Sequence, residues 1–338
     1  MDVFELTREL VEIASVTGRE KQIGDYLFDL LEALASHSGG SVERMPVEPA
    51  RFNVLACWGR PRVTLSTHMD TVPPHIPSRE DDEFIWGRGA CDAKGIIAAM
   101  IKAAEQLLAE GRRDFALLFV VGEERNSAGA LAAARAGRGS RWLINGEPTE
   151  NKLALGSKGA LRYEAEAQGR MAHSAYPELG DSAIDKLLDF LEQIRRLPLP
   201  SDPLLGPSTL NIGTIAGGRA PNVIADEARA EIMVRLVSDP EPIRRAFQRA
   251  ATGRVSLREV LMVPPVRLNA LDGFETTVVS FTTDIPAFQG AWGAPFLIGP
   301  GAIHLAHTLE ERVAKSDLLQ AVEIYKKMVN ILLEREPV

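Results

Sequence analysis

Apolar residues recur at helical spacing over residues 3–15 and again over 21–36, so two amphipathic helices are expected at the start of the chain. β-rich segments follow at 53–58 and 62–66. The Ala-rich stretch 95–111 predicts a helix that Gly111 stops. Residues 115–121, FALLFVV, are apolar without a break, the pattern of a strand covered on both faces. A second Ala-rich helix is expected at 127–136 and a short strand at 142–145. Alternation of this kind implies α/β layers, with a mainly parallel sheet flanked by helices.

The pattern changes after Asn151. Residues 153–169 alternate like one long strand or a hairpin, 181–196 read as a helix, and LPLPSDPLLGP breaks it. Strands are expected at 209–215 and 223–237 around the turn GGRAPN, then a helix at 240–251 and a strand at 255–263. That order, βαββαβ, is ferredoxin-like. The earlier pattern then resumes with a strand near 294–298, the loop GPGAIHLAH and a final helix at 316–334. The expected organisation is an α/β domain, residues 1–154 and 266–338, interrupted by an inserted ferredoxin-like α+β domain, 155–265.

Composition narrows the class. A chain of 338 residues ordinarily makes two domains. Its 45% hydrophobic content and mean hydropathy of -0.04 fit a soluble globular protein. There is no apolar run of about eighteen residues, hence no expected membrane span. The acidic, amphipathic start lacks the basic stretch and apolar core of a signal peptide, so cytoplasmic residence is expected. A net charge of -8 argues against a nucleic-acid footprint. Cys57 and Cys91 suggest no disulfide framework, and Cys91 beside Asp92 reads as a small buried thiol.

Candidate chemistry gathers where the expected strands end: His68-Met69-Asp70, Asp92, Glu123-Glu124, Glu147 and His307. Clustered carboxylates repel one another unless positive charge offsets them. These motifs supply little Lys or Arg, whereas a pair of divalent ions would suffice. Imidazoles and carboxylates are ligands that zinc accepts, so a two-metal hydrolase is the leading expectation. His68 and Asp70 stand at i and i+2 and share a face while the chain stays extended; the carboxylate can then fix the tautomer of the imidazole. Asp92 lies in a glycine-bounded turn before a helix, where an ordinary N-cap is the alternative. The lone GRG there lacks the rest of a nucleotide loop. Glu123 and Glu124 follow the buried strand, at the edge where open α/β sheets bind ligands. Adjacent side chains leave in different directions, so one can bind metal while the other faces water. Glu147 follows a short strand and precedes Pro148.

Taken in order, STHMDTVPP, GRGACDAKG, VVGEE, NGEPTE and GPGAIHLAH resemble the five metal-site motifs of a family of zinc-dependent deacylases and peptidases. It includes acetylornithine deacetylase, succinyl-diaminopimelate desuccinylase, aminoacylases and bacterial glutamate carboxypeptidases. The resemblance covers nearly the whole chain and implies two Zn2+ ions, with Co2+ or Mn2+ as substitutes. It places His68, Asp92 and Glu147 on one ion or between the two, makes Asp92 the bridge, and completes the second ion with Glu124 and His307. Glu123 becomes the general base and Asp70 the support of His68. His307 is preferred to His304, because the family's Ala-His followed shortly by Glu falls on Ala306, His307 and Glu311. His173, in AHSAYP, matches a histidine that crosses a dimer to stabilise the oxyanion in the partner's site. Asn222 and Arg235 match lid residues that hold a substrate carboxylate, a task suited to the planar fork of Arg.

The resemblance thus implies a homodimer formed through the inserted lid domain. The implied activity is hydrolysis of an N-acyl amino acid, N-acetyl foremost and acetylornithine for example, within amino-acid biosynthesis. Dipeptidase, carboxypeptidase and desuccinylase activities are the alternatives, and a noncatalytic binding protein on the same fold is a remote one. Where the desuccinylase has Gly-Gly-Thr-Ser-Asp, this chain has Ser280-Phe281-Thr282-Thr283-Asp284. Phe281 replaces a glycine near that enzyme's substrate chain, which favours a shorter acyl group.

Overall fold

A computed structural model describes residues 1–136 and 139–335. Residues 137–138 and 336–338 of the expected α/β domain lie outside the described residues. In chain order the main elements begin with helices α1 (Val3–Glu12) and α2 (Lys21–Ser38), then strands β1 (Ser41–Glu48), β2 (Arg51–Trp58) and β3 (Val63–His68). Next come α3 (Lys94–Ala109), β4 (Phe115–Val120), α4 (Ala128–Arg135), β5 (Trp142–Asn145) and β6 (Leu153–Ser157). Then follow β7 (Gly159–Gln168), α5 (Ala183–Arg195), β8 (Thr209–Gly217), β9 (Glu227–Leu236), α6 (Glu241–Ala251) and β10 (Val255–Val263). The chain finishes with β11 (Val266–Arg267), β12 (Thr276–Val279), β13 (Ala294–Leu297) and α7 (Lys315–Glu334).

Two compact units form. One comprises Met1–Leu155, Leu268–Thr277 and Thr283–Val338; the other comprises Gly156–Arg267 and Val278–Thr282. The short segment 278–282, which the sequence boundaries put in the α/β portion, belongs by its contacts to the inserted unit.

The α/β unit is built on a six-stranded sheet of order β1-β2-β4-β3-β5-β13. Strands β4, β3, β5 and β13 run parallel, while β1 and β2 pair antiparallel at one edge. The unbroken apolar run of β4 is explained by burial on both sides. Phe115, Leu117 and Phe119 join a core with residues of α1, α2, α3 and α7, and Ala116, Leu118 and Val120 join a second core with Ala130 and Ala133 of α4. Alternate residues of one strand thus serve two layers. At its N-terminus α1 is capped reciprocally: the Asp2 carboxylate accepts from Phe4 N and Glu5 N, and Glu5 accepts from Asp2 N.

The inserted unit has a four-stranded antiparallel sheet of order β8-β9-β7-β10. With α5 and α6 between the strands in sequence, this is the ferredoxin-like arrangement. Both helices cover one face, where Leu161, Tyr163, Ile232 and Val234 meet Leu187, Phe190 and Phe247. Residues 153–169 are neither one strand nor a hairpin. The run breaks at Lys158, after which β6 pairs with β11 and β7 joins the four-stranded sheet. Gly159 permits the switch: a Cβ there would sit 2.2 Å from the Val263 carbonyl oxygen.

Candidate metal centre

Because β3, β4, β5 and β13 are parallel, their carboxyl ends share one edge of the sheet, where open α/β sheets present their sites. The edge is closely stitched. Met69 N donates to Val120 O at 2.9 Å, Gly146 N to Ser66 O at 2.8 Å, and Ile298 N to Asn145 O at 3.1 Å. His68 ends β3, and the loops that leave these strands carry Glu123 with Glu124, Glu147 and His307.

His68 closes β3 and is buried. Its Nδ1 lies 2.9 Å from the main-chain oxygen of Asp70 and its Nε2 lies 2.9 Å from Asp92 Oδ1. The first contact makes Nδ1 the donor and leaves Nε2 to face the carboxylate side. The expected partnership with Asp70 therefore runs mainly through the backbone, since the nearer Asp70 carboxylate oxygen is 3.6 Å away. That carboxylate is otherwise engaged. It accepts from Gly122 N at 2.9 Å, Glu123 N at 3.1 Å, Glu124 N at 3.3 Å and Thr17 Oγ1 at 2.7 Å. One buried Asp thus fixes both the histidine loop and the backbone of the two glutamates.

Asp92 is not the cap of α3; that position falls on Ala93, and no side chain caps the helix. The Asp92 carboxylate instead lies between two imidazoles, with His307 Nε2 at 3.4 Å from its Oδ2. His307 Nε2 also lies 3.0 Å from Glu124. His307 has a left-handed backbone, φ 64°, which is uncommon outside glycine. His304 and His307 are both exposed, and the contacts to Asp92 and Glu124 are made by His307. His68, Asp92 and Glu124 each offer a ligand atom, all within 4.8 Å of one another. Glu147 is buried, and its Oε1 has no hydrogen-bond partner.

The electrostatics match a cluster short of positive charge. Burial, then repulsion from Glu147, pushes Glu123 well above the usual carboxylate range. Burial does the same to Glu147, with Asp92 adding to it. Asp92 is also buried, but His307 and His68 hold it below its ordinary value. Asp92 and Glu124 push His307 up to about 10. The cations of the GRGACDAKG motif are committed elsewhere: Arg88 pairs with Glu311, and Lys94 Nζ donates to Ile13 O at 2.6 Å. Among the described residues, no Lys or Arg pairs with Asp92, Glu123, Glu124 or Glu147.

Asp284 was legible only as the end of the 280–284 segment. It is buried, and burial pushes it up to about 7 against the opposing pull of the Ser127 hydroxyl. Its charge acts on both Glu123 and Glu147. An acid beside an apolar IPAF turn was the available signal.

His173, Asn222 and Arg235 belong to the inserted unit. Ala175 N donates to His173 Nδ1 at 3.1 Å, and Ser174 N donates to Asn222 O at 3.0 Å, so these two loops lie side by side. Arg235 sits half-buried on β9, and burial lowers its pKa. Its guanidinium has no anionic partner among the described residues.

Buried carboxylates that meet the buried His68 and the exposed His307 at a sheet edge, with no Lys or Arg among them, are the donor set of a metal-dependent hydrolase. Residues 64–331 match the model of peptidase family M20/M25/M40, and the chain belongs to this metallopeptidase family, as the five motifs led one to expect. It is 40% identical over 341 residues to a peptidase M20 domain-containing protein of Schizosaccharomyces pombe, covering 97% of this chain and 84% of that one. It is 36% identical over 369 residues to a probable carboxypeptidase of Aspergillus terreus, covering 95% and 84%. Its fold matches a tripeptidase of Staphylococcus aureus with a TM-score of 0.82 at 22% identity, over 98% of both chains.

Proposed function

We propose that the protein uses two zinc ions to hydrolyse the amide bond of N-acyl amino acids, N-acetyl foremost, releasing a carboxylic acid and a free amino acid. The observation that carries this reading is the meeting of His68, Asp92 and Glu124 within 4.8 Å, among carboxylates that no Lys or Arg pairs with among the described residues. The donor set fits zinc in type. The unpartnered Glu147 oxygen and the upward pKa of Glu147 and Glu123 are what a missing positive charge leaves behind.

In this reading His68, Asp92, Glu124, Glu147 and His307 would hold the two ions, for which cobalt or manganese could substitute. Bound there, the ions supply Lewis-acid polarisation of the scissile carbonyl and lower the pKa of water toward about 7. Glu123 takes a proton from the attacking water and returns it to the leaving amine. His173 of a second copy donates to the tetrahedral oxyanion. Arg235, with Asn222, receives the carboxylate of the amino acid, which suits a half-buried guanidinium without an anion of its own. A cytoplasmic homodimer belongs to the same reading.

The name of the Aspergillus terreus relative favours a second reading, a carboxypeptidase that removes the last residue of a peptide. Both readings share the leaving amino acid and its free carboxylate, and differ in the acyl side. A panel of N-acetyl amino acids, N-succinyl amino acids and dipeptides, scored by amine release, separates them. N-acetyl amino acids are expected to react fastest, and faster dipeptide turnover gives the second reading. Chelation is expected to abolish activity and zinc to restore it. Full turnover by metal-free protein would sink both readings.

A further inference from the structure

The turn that carries Asp92 is organised from a distant part of the chain. Glu311 lies 219 residues beyond Asp92, and its Oε1 accepts from Asp92 N at 3.2 Å, Cys91 N at 3.3 Å and Gly89 N at 2.8 Å. Its Oε2 takes Arg88 Nη1 at 2.5 Å, and its main-chain oxygen accepts from Gly87 N at 3.0 Å. Arg88 also reaches the segment that follows His68 and Asp70: its Nε donates to Pro74 O at 3.2 Å and its main-chain N to Ile76 O at 3.0 Å. Arg88 and Glu311 are each 1% exposed.

A buried ion pair is weak evidence of stabilisation, because desolvation of the two charges offsets their attraction. What this pair does deliver is direction. One carboxylate gathers three N–H groups of a short turn, and charge-assisted bonds of this kind hold geometry. The pair joins the segment after His68, the turn of Asp92 and the loop in which His307 stands four residues before Glu311.

We propose that Glu311, oriented by Arg88, is a positioning residue that sets Asp92 and His307 against His68 for metal binding. This rests on the reading of Asp92 as a metal ligand. Outer partners of metal ligands typically affect affinity by about 10–100-fold.

The test titrates zinc into apo protein against a chromophoric chelator, for wild type, Asp92→Asn, Glu311→Gln and Arg88→Lys. Kinetics on the best panel substrate at saturating zinc, and thermal unfolding of the apo forms, accompany it. Glu311→Gln is expected to weaken zinc by about 10–100-fold and to lower kcat with KM little changed. Arg88→Lys keeps a cation but loses the fork, so its loss should be smaller. Wild-type zinc affinity and kcat in Glu311→Gln, with thermal stability alone reduced, overturns the proposal. If Glu311→Gln does not fold, Arg88→Lys decides: weaker zinc upholds the role and unchanged zinc overturns it. If Asp92→Asn binds zinc as wild type does, the metal-site reading falls and this role with it. Loss in Asp92→Asn but not in Glu311→Gln removes the positioning role alone.

Discussion

Asp70 bears four donated hydrogen bonds on one buried carboxylate. Burial alone would raise its pKa; the neighbouring His68, with Thr17 and the Glu123 N–H, outweighs burial and holds it down. The spacing of His68 and Asp70 was readable in the sequence because it depends only on strand geometry. The three N–H groups on Asp70 come from a loop more than fifty residues away, and local pattern carries no trace of them. Asp284 and Glu311 entered the sequence reading only as motif positions, and their burial escaped it for the same reason: a charge looks solvated in sequence until the fold buries it. The two glutamates that Asp70 orders should separate by role. Glu123→Gln is expected to keep zinc and lose at least about 100-fold in kcat, the scale of a missing acid–base group. Glu124→Gln should instead weaken zinc. Zinc titration beside steady-state kinetics checks both, and loss of metal from Glu123→Gln with near-normal kcat would reverse the roles.

Among elements, the buried strands and long helices were legible because each carries a full period of apolar residues. The strand β1 was not anticipated. It is an edge strand with one buried residue, Met45, and contains Pro46 at a register shift, so it offers neither alternation nor a clean ladder. The close docking of α4 was also invisible. Asn53 is buried in β2; its Nδ2 donates to Gly129 O at 2.8 Å and its Oδ1 accepts from Val121 N at 3.2 Å. Gly129 N donates in turn to Val121 O at 2.8 Å. A Cβ on Gly129 would lie 2.5 Å from Val121 N and 2.6 Å from Val121 O, both main-chain atoms that cannot step aside. Gly129→Ala should therefore displace the loop that carries Glu123 and Glu124. A destabilisation of about 1–3 kcal/mol, typical of forced overpacking, should appear in urea unfolding together with reduced kcat. Unchanged values of both would show that α4 can retreat freely.

At the scale of the whole molecule, the family and the α/β architecture could be read from five ordered motifs and from the switch in periodicity after Asn151. The assembly implied for His173 is a separate matter, and a mixed dimer addresses it. Pairing Glu123→Gln with His173→Ala subunits creates one site in which an intact Glu123 meets an intact His173 from the other chain. Activity should return in verified mixed dimers, while each parent homodimer stays nearly inactive. No recovery, or a fully active monomer, would end the shared-site idea and leave the metal ligands untouched.

The way the inserted chain is spliced in has its own consequence. Leu268 N donates to Leu155 O at 3.0 Å, and beside that bond Gly156 faces Arg267 and Ser157 faces Val266 in antiparallel register. Residues facing each other in such a ladder stand only about 4.5–5.5 Å apart. Between residues 155 and 268 the insertion thus departs and returns on two adjacent strands, and a two-residue Asn-Gly turn could close them in its place. Whatever is mounted there can be lengthened, traded or trimmed without requiring the host sheet to shift a strand. The length of the insert is free to change on its own clock, because its two ends already stand side by side.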